Sequence, residues 1–193
     1  KSENLVFNYI LENDFPEARL LANRFSLQGY NSVSRGNALL RNERFHNASL
    51  RYRKMNLYRG ITWFANANFN KKVRTIRNEI ELSGINQFST PIITDNPETN
   101  WRLYGSFDKK IYRFRAGITT SLNWFTYTQT LNDITTQNNR NSQNMGVTLR
   151  TAFKKWPSLE VGYDKGFSQF NGITQSNYKT NAFHADGTID FLK

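Results

Sequence analysis

Residues 113–125 read RFRAGITTSLNWF, and an extended backbone sorts them into two unlike sets. Phe114, Ala116, Ile118, Thr120, Leu122 and Trp124 point one way, and Arg113, Arg115, Gly117, Thr119, Ser121 and Asn123 point the other, because successive side chains of a strand alternate between faces. One face suits hydrocarbon and the other suits water.

A soluble sandwich strand can carry this alternation, its inner face packed on a second sheet. Length is the discriminator. From Tyr112 to about Thr128 no proline, turn dipeptide or charge cluster intervenes, a run roughly three times the usual strand of about 5–6 residues. The stretch from Phe114 to Trp124, at about 3.3 Å per residue and a tilt near 45°, rises roughly 23 Å. That is close to the apolar band of about 25 Å on an outer-membrane β-barrel. Phe114 and Trp124 then fall at the two interfaces, where amphipathic rings fit the headgroup level.

Composition agrees with strands. The chain of 193 residues is rich in aromatics (15%) and in Asn and Thr, which favours strands and polar connections over helices. It has no run approaching the roughly 18 apolar residues of a spanning helix, and a barrel strand needs only every second residue apolar. The absence of cysteine removes disulfides, thiol nucleophiles and thiolate metal sites together. The net charge of +11 suits phospholipid or lipopolysaccharide headgroups. Nucleic acid is not expected, since the 26 Lys and Arg are dispersed and form no stripe. KSENLVFNYILEN at the start has no apolar signal region, and GTIDFLK stops inside an alternating run. Both ends read as cut from a longer polypeptide.

Alternation predicts a first strand over Leu5 to Leu11, an irregular segment over 12–42, and strands near 44–54, 60–80, 100–109, 112–129, 143–154, 158–170 and 177–192. The connections MNLYRG, DKKIY and KKWPS are tight, whereas 83–99, 130–142 and 171–176 are longer and rich in Asn, Thr, Ser and Gly. Strands that meander through an outer membrane predict this rhythm, with short periplasmic turns and longer external loops. Lys54, Arg59, Lys109, Lys110, Lys154 and Lys155 gather at the tight turns, where long cationic stems reach headgroups or water. Two lysines fall in phase with the apolar set: Lys71 after Phe69, and Lys165 after Tyr163. At mid-depth on a lipid face each would cost about 2–4 kcal/mol. The band edge accounts for Lys71; an edge or a bulge is open for Lys165.

The segments SRGNALLRNERFHNASLRYRK and YRGITWFANANFNKKVRTI resemble the barrel of TonB-dependent outer-membrane receptors, particularly the long-barrel group of the Bacteroidetes. The matching residues are Gly36, Asn37, Leu40 and Glu43, then Phe69, Asn70 and Ile76. Ala38 stands where the family usually has proline, and Arg41 and Asn42 where Lys-Pro is common. The resemblance implies an all-β fold: a transmembrane antiparallel up-and-down β-barrel, present in part. Residues 1–193 would supply about 7–8 strands to one barrel of about 22. The remaining barrel, the plug and the TonB-contacting segment would lie outside this stretch. A complete eight-stranded barrel fits the length but needs a filled interior, and the inward Thr, Ser, Asn and Gly suit a wider lumen.

No catalytic constellation emerges. His46 and His184 lack a neighbouring ligand pattern, and Glu79 and Glu81 have no partner at an acid-base spacing. Arg115, Arg150, Asp186 and Asp190 are candidate lumen-lining residues, the carboxylates serving as partners of the arginines. No P-loop, dinucleotide or nucleophile-elbow motif occurs, and no cofactor or metal is expected. The leading expectation is therefore a non-enzymatic receptor wall in the outer membrane of a Gram-negative cell, taking up a scarce solute. Its partners would be lipopolysaccharide, its own plug, TonB, and a surface lipoprotein lid or larger complex. The alternatives are a structural or interaction subunit of an outer-membrane assembly, and a soluble β-sandwich glycan-binding module.

Overall fold

The computed structural model describes residues 2–132, 134–151, 158–172 and 174–188. They form an unclosed, mostly antiparallel sheet of eleven strands with one helical turn. The elements in chain order are β1 (Ser2–Asp14), α1 (Ala18–Leu21), β2 (Phe25–Gly29), β3 (Ser32–Arg35), β4 (Glu43–Asn56) and β5 (Ile61–Ser83). They continue with β6 (Asn86–Thr94), β7 (Glu98–Ile111), β8 (Phe114–Leu131), β9 (Ile134–Thr151), β10 (Ser158–Asn171) and β11 (Gln175–Thr188).

The alternating runs become the long strands. β1, β4, β5, β7, β8, β9, β10 and β11 pair in that order, each antiparallel to the next. Their near ends close tightly: Gly60 takes φ +60° and donates its N–H to Leu57 O at 3.2 Å, and Tyr112 turns the next hairpin at φ 55°. Of KKWPS only Ser158 is described, so Lys154 and Lys155 lie outside the described residues, as do Phe153, Ile189, Asp190 and Phe191.

The far ends correct the loop expectation. The segment 130–142 is not a loop: β8 and β9 stay paired to Leu131 opposite Ile134. Thr126 Oγ1 donates to Asn139 Oδ1 at 2.8 Å, and Thr130 and Thr135 hydroxyls meet at 3.1 Å. Composition misled here because Thr is β-branched and fits a pleated ladder as readily as a loop. The segment 83–99 likewise contains β6, which returns along β5 after a turn at Gly84. The segment 171–176 opens and closes inside strands.

β5, 23 residues long, outruns its neighbours. Its first half lies between β4 and β7, and its second half pairs with β6. Ile80 faces Ser89 of β6 along one edge and Leu131 of β8 along the other. β6 continues to β3 in parallel and β3 to β2 antiparallel. The segment 12–42 is thus not irregular, since it supplies the end of β1, α1, β2 and β3. The count of about 7–8 strands and the strict up-and-down order are corrected by this wing of β2, β3 and β6.

A sheet without a covering layer has little core. Apart from Pro91, the only buried apolar side chains among the described residues are Leu40 and Phe45, 8% and 7% exposed. Both sit where the wing joins the meander.

Candidate functional site

Directly opposed residues of an antiparallel pair share a face, so the registers carry each face across the whole sheet. One row runs Phe7, Leu50, Ala67, Leu103 and Leu122. Another runs Trp63, Phe107, Ile118, Val147, Tyr163 and Phe183. Phe114 and Trp124 belong to this apolar face, Trp124 opposite Trp101. The rings of Trp63 and Phe107 lie 4.5 Å apart and those of Phe69 and Trp101 4.3 Å apart. The face is bare: Phe7 is 65% exposed, Ile118 49% and Phe183 72%.

The apolar band crosses the strands obliquely. In β1 it ends toward the far hairpins at Leu11, which is in register with His46 and Lys71. In β11 it ends at Phe183, in register with Trp63. The edge thus slides from the level of Lys71 to that of Trp63, eight residues, across seven strand-to-strand steps. A slide of about one residue (about 3.3 Å) per strand spacing of about 4.8 Å is an angle of about 35°.

This slant accounts for both lysines. Lys71 lies one same-face position beyond Phe69, and Lys165 one beyond Tyr163. The β10 registers run through Lys165 without a shift, which removes the bulge alternative. Lys71 stands just past Phe69 at the local edge of the band, and Lys165 stands between Tyr163 and Phe167 at the level to which the slant brings that edge in β10.

The opposite face is polar and crowded. At Gly162 a Cβ would collide with the His184 ring, and at Gly146 with the Asp164 carboxylate. Arg115, Arg150 and Asp186 lie on this face, Arg115 opposite Arg150, Arg150 opposite Glu160, and Glu160 opposite Asp186. The expected pairing is corrected: Arg150 Nε donates to Glu160 Oε2 at 2.7 Å, because hairpin pairing brings residue 160, not 186, against residue 150. Asp190 falls outside the described residues. His184 Nδ1 stands 3.5 Å from Asp164 Oδ2, while His46 lies on the apolar face, its Nδ1 2.7 Å from the Tyr9 hydroxyl.

Two cavities adjoin on the polar face and share Arg77 and Phe125. The first, about 550 Å³, is lined by Asn8, Asn47, Asn68, Asn70, Asn100 and Arg102 among others. The second, about 480 Å³, adds Tyr127, Arg140, Phe170 and Tyr178. Phe125 and Tyr127 stack at 4.9 Å with their planes 21° apart, and the Arg77 guanidinium lies 5.7 Å from the Tyr127 centroid. Arg77 is held there by an ion pair with Glu98, a residue only 2% exposed. Asn100 Oδ1, in the lining of the first cavity, is buried without a hydrogen-bond partner, which leaves an acceptor for a bound solute or water. Aromatic faces, amides and guanidinium groups bind and orient; they do not supply a nucleophile and base. Sequence reading missed this cluster, because Arg77, Phe125 and Phe170 come from three strands and share no spacing.

The residues Gly36, Asn37, Leu40 and Glu43 form a joint. A side chain at Gly36 would strike the Ala22 carbonyl oxygen. Asn37 donates from Nδ2 to Pro91 O at 3.0 Å and accepts Leu39 N–H on Oδ1 at 2.9 Å. Glu43 Oε1 accepts from Thr75 Oγ1 at 2.9 Å and from Ile76 N at 2.8 Å. With Leu40 buried beside them, these four residues tie the α1 segment, β6 and β5 to the start of β4. No family model matches the chain, and no curated protein matches it.

Proposed function

We propose that the chain is part of the transmembrane wall of an outer-membrane β-barrel of the TonB-dependent receptor kind, with its polar face toward the lumen. The observation that carries this reading is the oblique apolar band. Strands of a membrane barrel tilt by about 35–45°, so a belt level with the bilayer must slide along successive strands by about one residue each. At such tilts the stretch from Phe114 to Trp124 stands about 23–27 Å tall, the height of a hydrocarbon belt. Aromatics and then cations border it, in the order that the interface favours. A soluble sandwich has no reason to slant its apolar positions this way, and it would need a second sheet over the bare face.

The lumen reading gives the two adjoining cavities a role. They would hold a polar, ring-bearing solute at the level where β5, β8 and β9 rise above the belt, and a TonB-coupled plug would pass it inward. A second reading, a structural or interaction subunit of a larger assembly, is favoured by the wing. There Phe25 and Leu27 are 69% and 72% exposed, on a face with Val33 and Phe88 that a partner would cover.

The test is to fractionate membranes of the source cell and identify what copurifies with the full-length protein in mild detergent. Recovery in the outer membrane with a small solute or a lipoprotein lid is the expected result. Recovery with several large membrane proteins would favour the assembly subunit, and recovery in the aqueous fraction would reject both.

A further inference from the structure

On the apolar side, immediately beyond the band, lies a cluster that the transport reading leaves unused. The β4–β5 register passes from Phe45 opposite Lys72 to Arg44 opposite Arg74, so Val73 is an extra residue. Without that bulge Arg74 would share the polar face with Lys72. With it, Arg74 is turned to the apolar side, directly against Arg44. Bulges re-aim side chains in this way next to functional sites.

Two arginines in direct opposition repel, and the surroundings neutralise them poorly. Arg44 Nε donates to a neutral amide, Asn13 Oδ1, at 3.3 Å. Arg74 stands 3.7 Å from Asp95, whose side chain is 87% exposed, and such an exposed pair is weak. Glu43 is committed to Thr75 and Ile76. The cavity at this point, about 790 Å³, is lined by Arg41, Arg44, Arg74, Asn13, Asn42 and Phe15, with Leu40 behind them, and no carboxylate among the described residues lines it. Phe15, 80% exposed, offers a ring at the rim. The next same-face pair toward the band is His46 with Lys71, followed by Ala48 with Phe69.

We propose that Arg41, Arg44 and Arg74 bind a phosphate group of an anionic membrane lipid at the rim of the apolar belt. Planar guanidinium forks match phosphate oxygens two at a time, and basic pockets beside a membrane belt select charged headgroups. The site rests on the membrane reading, which fixes why a lipid rather than a soluble anion occupies it.

The experiment uses the full-length protein, delipidated in detergent, with bisphosphorylated lipid A, the same lipid dephosphorylated, and inorganic phosphate as probes, read by native mass spectrometry. Retention of the bisphosphorylated form alone is expected, weakened roughly tenfold by the double change Arg44→Gln and Arg74→Gln. Equal retention of both lipids, or unchanged retention by the double variant, would overturn the site. Displacement by inorganic phosphate at equal concentration would overturn the lipid as its source. Should the double variant fail to fold, Arg41→Gln in the exposed segment before β4 must by itself weaken retention, and no change would count against the proposal. A protein recovered in the aqueous fraction would sink the membrane reading itself, whereas a membrane protein indifferent to lipid phosphate would sink this site alone.

Discussion

Glu43 shows how much a single side chain holds together. Its carboxylate takes a hydroxyl and a backbone N–H from β5, and Thr75 beneath it is 1% exposed. Hydrogen bonds to a charged acceptor contribute about 1.5–3 kcal/mol, and their loss leaves two donors unsatisfied in a dry place. Glu43→Ala should therefore lower the stability of the full-length protein by about 2–3 kcal/mol in urea titration, and Glu43→Gln, which still accepts, by less. At this scale the sequence was half legible. The spacing of Gly36, Asn37, Leu40 and Glu43 marked them as a set through a resemblance. Thr75, Pro91 and Ala22, which make that set a joint, lie far along the chain, and nothing local to them signals the contact. The same limit hid Glu160: Asp186 shares a face with Arg150, but the hairpin partner is nearer.

Among the elements, the period-two alternation located every long strand, because it reflects the two environments that a sheet face meets. It stopped being informative where both faces are polar. Residues 130–142 are rich in Thr, Gln and Asn and carry no sustained apolar stripe, so composition alone suggested a loop, while the backbone ladder and the threonine contacts keep the hairpin paired to its tip. Hydrogen exchange separates the two descriptions. Amides of 126–131 and 134–139 should be protected well beyond the rates of an open loop, and exchange at free-peptide rates would contradict the extended hairpin. The wing was illegible for a different reason: β3 joins β6 in parallel across more than fifty residues of sequence, a pairing that no local pattern announces.

Over the whole molecule, the central claim is that the oblique band faces lipid and the opposite face meets water. The alternation within each strand was readable at once, but the slant was not, since it exists only when eight strands are placed in register. Once they are, Lys71 and Lys165 cease to be exceptions and become markers of a single tilted edge. The most direct test is a single-cysteine scan in the full-length protein reconstituted in bilayers, each cysteine spin-labelled and probed with oxygen against a water-soluble relaxing agent. Positions 114, 116, 118, 120, 122 and 124 should favour oxygen, and 115, 117, 119, 121 and 123 should not. The oxygen-accessible window should also slide by about one residue per strand, ending at Leu11 in β1 and at Phe183 in β11. Equal water access on both sets of positions, or a window that stays level with the strand registers, would contradict the account.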